Sequence, residues 1–206
     1  YTEKIIVDNI ENYNWQEEFK GLKFDYIIFA DVLEHLYDPK KVLKSIKNFL
    51  KDNGSILVSI PNIAHNAILL GLLKNEFNYN PTGLLDDTHI RFFTKKTFDN
   101  LIRECKYFTI FESAIFVNPI NTELHNGYDE TLPAVSQFLQ SLPCGEIYQF
   151  IYEFAKNKRD LISDFSSEYK TYNLNFIQLY INIESSLLKN NLIQLPIRQT
   201  NEIQEF

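Results

Sequence analysis

Phe24-Asp25-Tyr26-Ile27-Ile28-Phe29-Ala30-Asp31-Val32-Leu33-Glu34-His35-Leu36 decides how the rest of the chain is read. Residues 26–30 are continuously apolar. That is the composition of a strand covered on both faces in a parallel sheet, not of one that alternates between core and water. Asp31 ends the run abruptly, and Glu34 and His35 follow within one turn. An open α/β sheet binds its ligands beyond the carboxyl ends of its strands, which is where these polar groups fall.

The chain downstream supplies the rest of an α/β unit. Asp38-Pro39 opens a helix, since proline is tolerated in the first turn. Val42, Leu43, Ile46, Phe49 and Leu50 recur at helical spacing and give that helix one buried face. Asn53-Gly54 is expected to stop it in a left-handed conformation. Residues 55–60 read as a second strand ended by Pro61-Asn62, so strand, helix and strand form a right-handed βαβ unit. The hydrophobic pattern then predicts helices over 64–73, 94–103 and 134–142, and strands over 108–117 and 146–154. A loop carrying Pro81 and Gly83 joins the first two of these helices. Upstream, 4–7 reads as a short strand turning at Asp8-Asn9. Trp15 and Phe19, four residues apart, favour a short helix over 14–20.

Beyond Lys156 the pattern changes. Leu161, Ile162, Phe165, Tyr169 and Tyr172 are spaced like a helix face, and a second helical stretch runs over 176–187. The expected organisation is an α/β unit over 1–156 and a helical extension over 157–206. The aromatic stripe of that extension suits packing or homo-oligomer formation.

Composition excludes several classes. The chain has 206 residues, is 45% hydrophobic and carries 17 Phe and 12 Tyr, which argues for a folded core and against disorder. A net charge of -7 leaves no basic footprint, so nucleic acid is not an expected partner. Cys105 and Cys144 both lie in apolar surroundings and make no disulfide framework, which fits a cytoplasmic location. No apolar run approaches the ~20 residues needed to span a membrane.

Two stretches together resemble class I S-adenosylmethionine-dependent methyltransferases of a bacterial small-molecule type. Asp31-Val32-Leu33-Glu34-His35, followed by Asp38-Pro39, is similar to the turn after that family's fourth strand. Residues 52–62 resemble the fifth strand, with Asp-Asn-Gly where the family usually has Pro-Gly-Gly. Leu85-Asp86-Asp87-Thr88-His89-Ile90-Arg91-Phe92-Phe93-Thr94 resembles a loop that recurs in this branch, and Ile147-Tyr148-Gln149-Phe150 its closing strand. The resemblance covers roughly residues 1 to 155 and implies a Rossmann-like α/β sheet. The family's first strand, glycine-rich loop and second strand have no counterpart in the 23 residues before Phe24, and the chain contains no methionine. An N-terminally truncated domain is the expectation, short of the family pattern by roughly 60 residues.

The resemblance also assigns roles. Asp8, Asn9 and Ile10 would flank the adenine of S-adenosylmethionine, and Ala30, Asp31 and Val32 would sit beside its methionine part. His35 and His89 are the candidate bases, because imidazole titrates near neutral pH. Asp87 or Glu34 would orient them, and Arg91 would hold an anionic or sugar-like acceptor. The implied reaction is methyl transfer to a hydroxyl or amine of a small molecule, such as a sugar or cell-surface precursor. With the glycine-rich loop missing, the chain alone is expected to bind the cofactor weakly or not at all.

Plainer roles fit the same residues. Asp31 is suited to cap the turn that follows it, Glu34 and His35 to lie in solvent, and His89 and Arg91 to brace loop backbone. Asp31, Glu34 and His35 are also donors of the kind that hold Mg or Zn, as is a set of His35, His65 and His89 in a metal-dependent hydrolase; the reading adopted assigns no metal. The competing reading of the whole chain is a non-catalytic, degenerate methyltransferase module acting in dimerisation or partner binding.

Overall fold

Among the described residues four strands form one sheet in the order β1-β2-β4-β3, with β1 at Phe24–Ala30, β2 at Leu50–Pro61, β3 at Phe108–Phe116 and β4 at Ile147–Ala155. A computed structural model of the protein describes residues 6–12 and 14–159. β1 and β2 are parallel, while β4 runs antiparallel to both β2 and β3. The helices are α1 (Trp15–Glu18), α2 (Pro39–Ile46), α3 (Asn66–Leu73), α4 (Lys95–Glu104) and α5 (Pro133–Gln140). This mixed sheet contains the βαβ unit that the sequence pattern predicts and has the Rossmann-like α/β architecture that the family resemblance implies. The helical extension falls almost wholly on residues from 160 onward, outside the described residues, as does its role in oligomerisation.

Alternation along the strands sorts one face of the sheet into the core. Ile56, Val58 and Ile60 of β2 stand opposite Phe154, Tyr152 and Phe150 of β4, and all six are buried. Side chains from α2 (Val42, Leu43, Ile46) and α4 (Phe98, Ile102) belong to the same cluster. Asp38 caps α2 by accepting the Lys41 N–H at 2.9 Å, and Thr94 and Thr97 form a reciprocal capping box on α4. The Tyr107 hydroxyl donates to Leu43 O at 2.8 Å and ties the end of α4 back to α2. Lys95 bridges Asp99 at 2.9 Å and Glu112 at 3.2 Å, and the buried Tyr152 hydroxyl donates to Asp99 at 2.7 Å.

Three local expectations change. β1 is not covered on both faces by the described residues: Phe29 is buried, but Tyr26 is 54% exposed. Phe29 joins the core cluster with residues of α2 and α4, whereas Tyr26 and Ala30, which alternate with it, are exposed, and β1 is an edge strand among the described residues. Ile6 and Val7 are not in a strand, and Val7 is 96% exposed. Asn53-Gly54 does not stop α2. That helix ends at Ile46 and passes through a 3-10 turn at Lys47–Phe49, and Gly54 lies inside β2.

Gly54 has a packing reason instead. The register slips between Phe24↔Leu50 and Tyr26↔Ser55, so β2 bulges beside the start of β1. A Cβ on residue 54 would lie 2.8 Å from Phe24 O and 2.9 Å from Leu50 Cγ. Gly54→Ala is therefore expected to lower stability by about 1–3 kcal/mol, as overpacking does. Chemical denaturation checks this: an unchanged midpoint would mean that the bulge relaxes freely.

Candidate functional site

Because β1 and β2 are parallel, their carboxyl ends share one rim, with Ala30 opposite Ser59. The chain leaves β1 through Asp31, whose φ is +51°. It then makes a 3-10 turn at Leu33–His35 that buries Leu33 and Glu34. The loop before α4 closes over this turn, with the N–H groups of Ile90 and Arg91 both donating to Glu34 O at 3.0 and 2.9 Å. Arg91 locks the same junction by donating from Nε and Nη2 to Tyr37 O at 3.1 and 2.6 Å. Its guanidinium thus braces backbone.

Glu34, His35 and His89 converge under that loop. One ligand-type atom from each lies within 4.8 Å of the other two. The two imidazole rings meet edge to face with centroids 4.8 Å apart. His89 Nε2 is 3.9 Å from Glu34 Oε1, too far for a hydrogen bond. Glu34 is 1% exposed, and neither carboxyl oxygen has a hydrogen-bond partner among the described residues. Burial pushes its carboxyl up to about 8, with the Asp31 and Asp86 charges adding to the rise. Glu34 is therefore a neutral acid near pH 7. His89, 8% exposed, is held below the usual imidazole range by burial first and by His35 second.

His35 is the more accessible imidazole. Its Nδ1 lies 3.1 Å from Thr88 O and 3.1 Å from Thr88 Oγ1. A carbonyl only accepts, so Nδ1 carries a proton, and in the neutral ring Nε2 is the nitrogen with the lone pair. Thr88 Oγ1 in turn donates to Asp86 Oδ1 at 2.5 Å, and the Thr88 N–H reaches the same oxygen at 2.8 Å. Those two bonds hold the Asp86 carboxyl below its ordinary range. The chain Asp86–Thr88–His35 orients the ring. Of the two residues expected to orient the histidines, Asp87 is exposed and donates its backbone N–H to Asn80 O at 2.9 Å, and Glu34 lies 3.9 Å from His89 Nε2. The Asp-x-Thr spacing was the available signal, because an aspartate accepts readily from residue i+2.

His65 stands apart from the cluster. It is fully buried, its Nδ1 accepts the Ala67 N–H at 3.1 Å, and its Nε2 bonds Val117 O at 2.9 Å. Both ring nitrogens are committed to capping α3 and anchoring the chain after β3, which removes His65 from any metal set. Asp31 likewise lies outside the convergent group that includes Glu34 and His35.

The residues assigned to the cofactor lie on the neighbouring surface. Asp8 Oδ1 accepts the Asn9 N–H at 2.7 Å, and Asn9 Oδ1 accepts the Glu11 N–H at 2.8 Å, so the turn carries its own bracing. Glu11 then accepts from Tyr37 N at 3.1 Å and Asp38 N at 2.7 Å, which brings residues 8–12 against the start of α2. Asp8 and Ile10 line an open, mainly apolar groove of about 400 Å³ whose floor includes Ile27 and Ile28 of β1. Ala30 and Asp31 are exposed and Val32 is half-buried, and none of the three is among the residues that line this groove. A mainly aromatic and aliphatic slot with one carboxylate, Asp8, in its wall suits a flat ring.

A model of the methyltransferase-domain family matches residues 3–105, half of the chain. The chain belongs to that family. Its members are class I S-adenosylmethionine-dependent methyltransferases, and S-adenosylmethionine is their cofactor. A ubiquinone biosynthesis O-methyltransferase of Glaesserella parasuis is 36% identical over 55 residues, covering 27% of this chain and 23% of its own. The protein of that name from Bartonella quintana is 29% identical over 112 residues, covering 53% and 44%. The chain thus spans less than half the length of these curated relatives. Solved structures that superpose in part include a Thermotoga maritima methyltransferase described as a possible histamine N-methyltransferase, at 18% identity, TM-score 0.43 and coverage of 66% and 59%. Another is a methyltransferase of Archaeoglobus fulgidus, at 12% identity, TM-score 0.44 and coverage of 73% and 66%. No helix among the described residues is long and apolar enough to cross a membrane.

The raised Glu34 carboxyl has a measurable consequence. Its folded value of about 8 exceeds the unfolded 4.5, so between those values the native state holds a proton that the unfolded chain has lost. This group's contribution to stability is full below about pH 4.5 and is lost as pH rises to about 8. Glu34→Gln, neutral at every pH, removes that loss. Urea denaturation near pH 5 and near pH 8 should show the wild type losing on the order of a few kcal/mol relative to the variant. A difference that is equal at both pH values would show that Glu34 is ionised.

Proposed function

We propose that the protein transfers a methyl group from S-adenosylmethionine to a hydroxyl oxygen of a small molecule, with His35 as the base. The observation that carries the choice of base is the tautomer. Nδ1–H is held by Thr88, so Nε2 is left as an oriented acceptor on a half-buried ring. When bound, the cofactor supplies a methyl group already activated by the sulfonium. The protein's own part is alignment of the acceptor and removal of one proton. In this reading His35 Nε2 takes the hydroxyl proton, and the Asp86 charge, relayed through Thr88, stabilises the imidazolium that forms. Asp31 and the turn at Asp8, Asn9 and Ile10 form the cofactor's side of the site. Both curated relatives are named as O-methyltransferases, which favours oxygen over nitrogen as the acceptor atom.

Assays with methyl-labelled S-adenosylmethionine against phenols, sugars and amines test the reading. Label is expected on hydroxyl compounds; label on amines alone would overturn the choice of oxygen. His35→Gln should lower kcat on the order of 100-fold, the usual range for losing a general base. Thr88→Val should lower it less, because the base remains and only its orientation suffers. Equal turnover in wild type and His35→Gln would remove His35 from the chemistry.

A further inference from the structure

Asp31 takes a left-handed conformation, which few side-chain-bearing residues adopt and which Asp tolerates better than most, and two side chains distant in sequence meet it there. Its φ is +51°, and hydrogen bonds from outside the turn hold it there. Ser59, opposite Ala30 in the parallel pair, accepts the Asp31 N–H at 3.0 Å and donates its own hydroxyl to Asp31 Oδ1 at 3.0 Å. Gln149 reaches across from β4 and donates Nε2 to the same oxygen at 2.5 Å. Three strands thus converge on one carboxylate oxygen. Asp31 is exposed, and no described residue bonds its Oδ2.

We infer that Ser59 and Gln149 are positioning residues for cofactor binding. They hold Asp31 left-handed and tie back Oδ1, so that Oδ2 is presented in one orientation to the cationic amino-acid end of the cofactor. This rests on the reading that the rim binds S-adenosylmethionine. Pre-orienting an acceptor removes the ordering cost that a freely rotating side chain would add on binding. Neither residue is near Asp31 in the chain: Ser59 is 28 positions away and Gln149 is 118. A strap that merely knits the three strands would make the same hydrogen bonds, and the two roles separate experimentally.

S-adenosylhomocysteine is titrated by NMR into the wild type and into Gln149→Leu, Ser59→Ala and Ser59→Thr, with melting temperatures measured alongside. Gln149→Leu and Ser59→Ala are each expected to weaken binding about tenfold, the scale of one lost hydrogen bond to a charged group. Ser59→Thr keeps the hydroxyl and should bind close to wild type. Melting temperatures should move little. Wild-type affinity in Gln149→Leu, or Ser59→Thr as weak as Ser59→Ala, would overturn the inference. The titration is carried to millimolar ligand, because the chain lacks the glycine-rich loop and weak binding is expected. If the wild type shows no shift even there, the cofactor reading of the rim fails and the inference falls with it. A wild type that binds and variants that bind equally well overturn the inference alone.

Discussion

Ala30 lies opposite Ser59 in a parallel pair, so two strands end at one level and the chain must turn away from both at the same place. Every feature of the candidate site depends on that coincidence. It sets Asp31 beside Ser59 and within reach of Gln149 on the next strand. It aims the turn at Leu33–His35 across the rim, where the loop before α4 can donate two N–H groups to Glu34 O. An antiparallel pair would have placed the end of one strand at the opposite edge, and the acidic and imidazole groups would not have met.

The site so assembled holds two ionisable groups under opposite demands. Burial keeps Glu34 protonated and His89 unprotonated, and each remains neutral for the same reason: the apolar surroundings disfavour charge. Neither compensates the other at 3.9 Å, because a neutral acid and a neutral imidazole form no ion pair. His35 sits where this dry interior meets the surface, with one ring nitrogen fixed by Thr88. The gradient from buried acid to half-exposed imidazole to exposed carboxylate at Asp31 spans only five residues of sequence.

Much of the scaffold was legible in the residues. The spacing of Val42, Leu43 and Ile46 located α2, and Asp38-Pro39 located its start, because capping and amphipathicity are local rules. The end of α2 was misjudged for an equally physical reason. Asn-Gly is a good helix terminator in isolation, but Gly54 is needed where the β2 backbone bulges against β1, a contact between segments that sequence alone does not bring together. The part of Asp86 was not legible for the same reason. Asp86 and Asp87 both precede His89 closely, and only the folded loop shows that Thr88 bonds Asp86 and passes the link to His35.

The amino-acid sequence by itself determined the α/β class, the parallel unit from β1 to β2 and the family. Those follow from hydrophobic periodicity and from two motifs, Asp-Val-Leu-Glu-His and Thr-His-x-Arg-Phe-Phe-Thr, written out contiguously. The tertiary structure decided which of the polar residues act together. Glu34, His35 and His89 form one cluster, His65 is excluded by its own two hydrogen bonds, and Asp31 is held by Ser59 and Gln149. The physical reason is range. Helix and strand propensities act over a few residues, whereas the tautomer of an imidazole or the protonation of a buried acid is set by groups that only folding brings within a few ångströms.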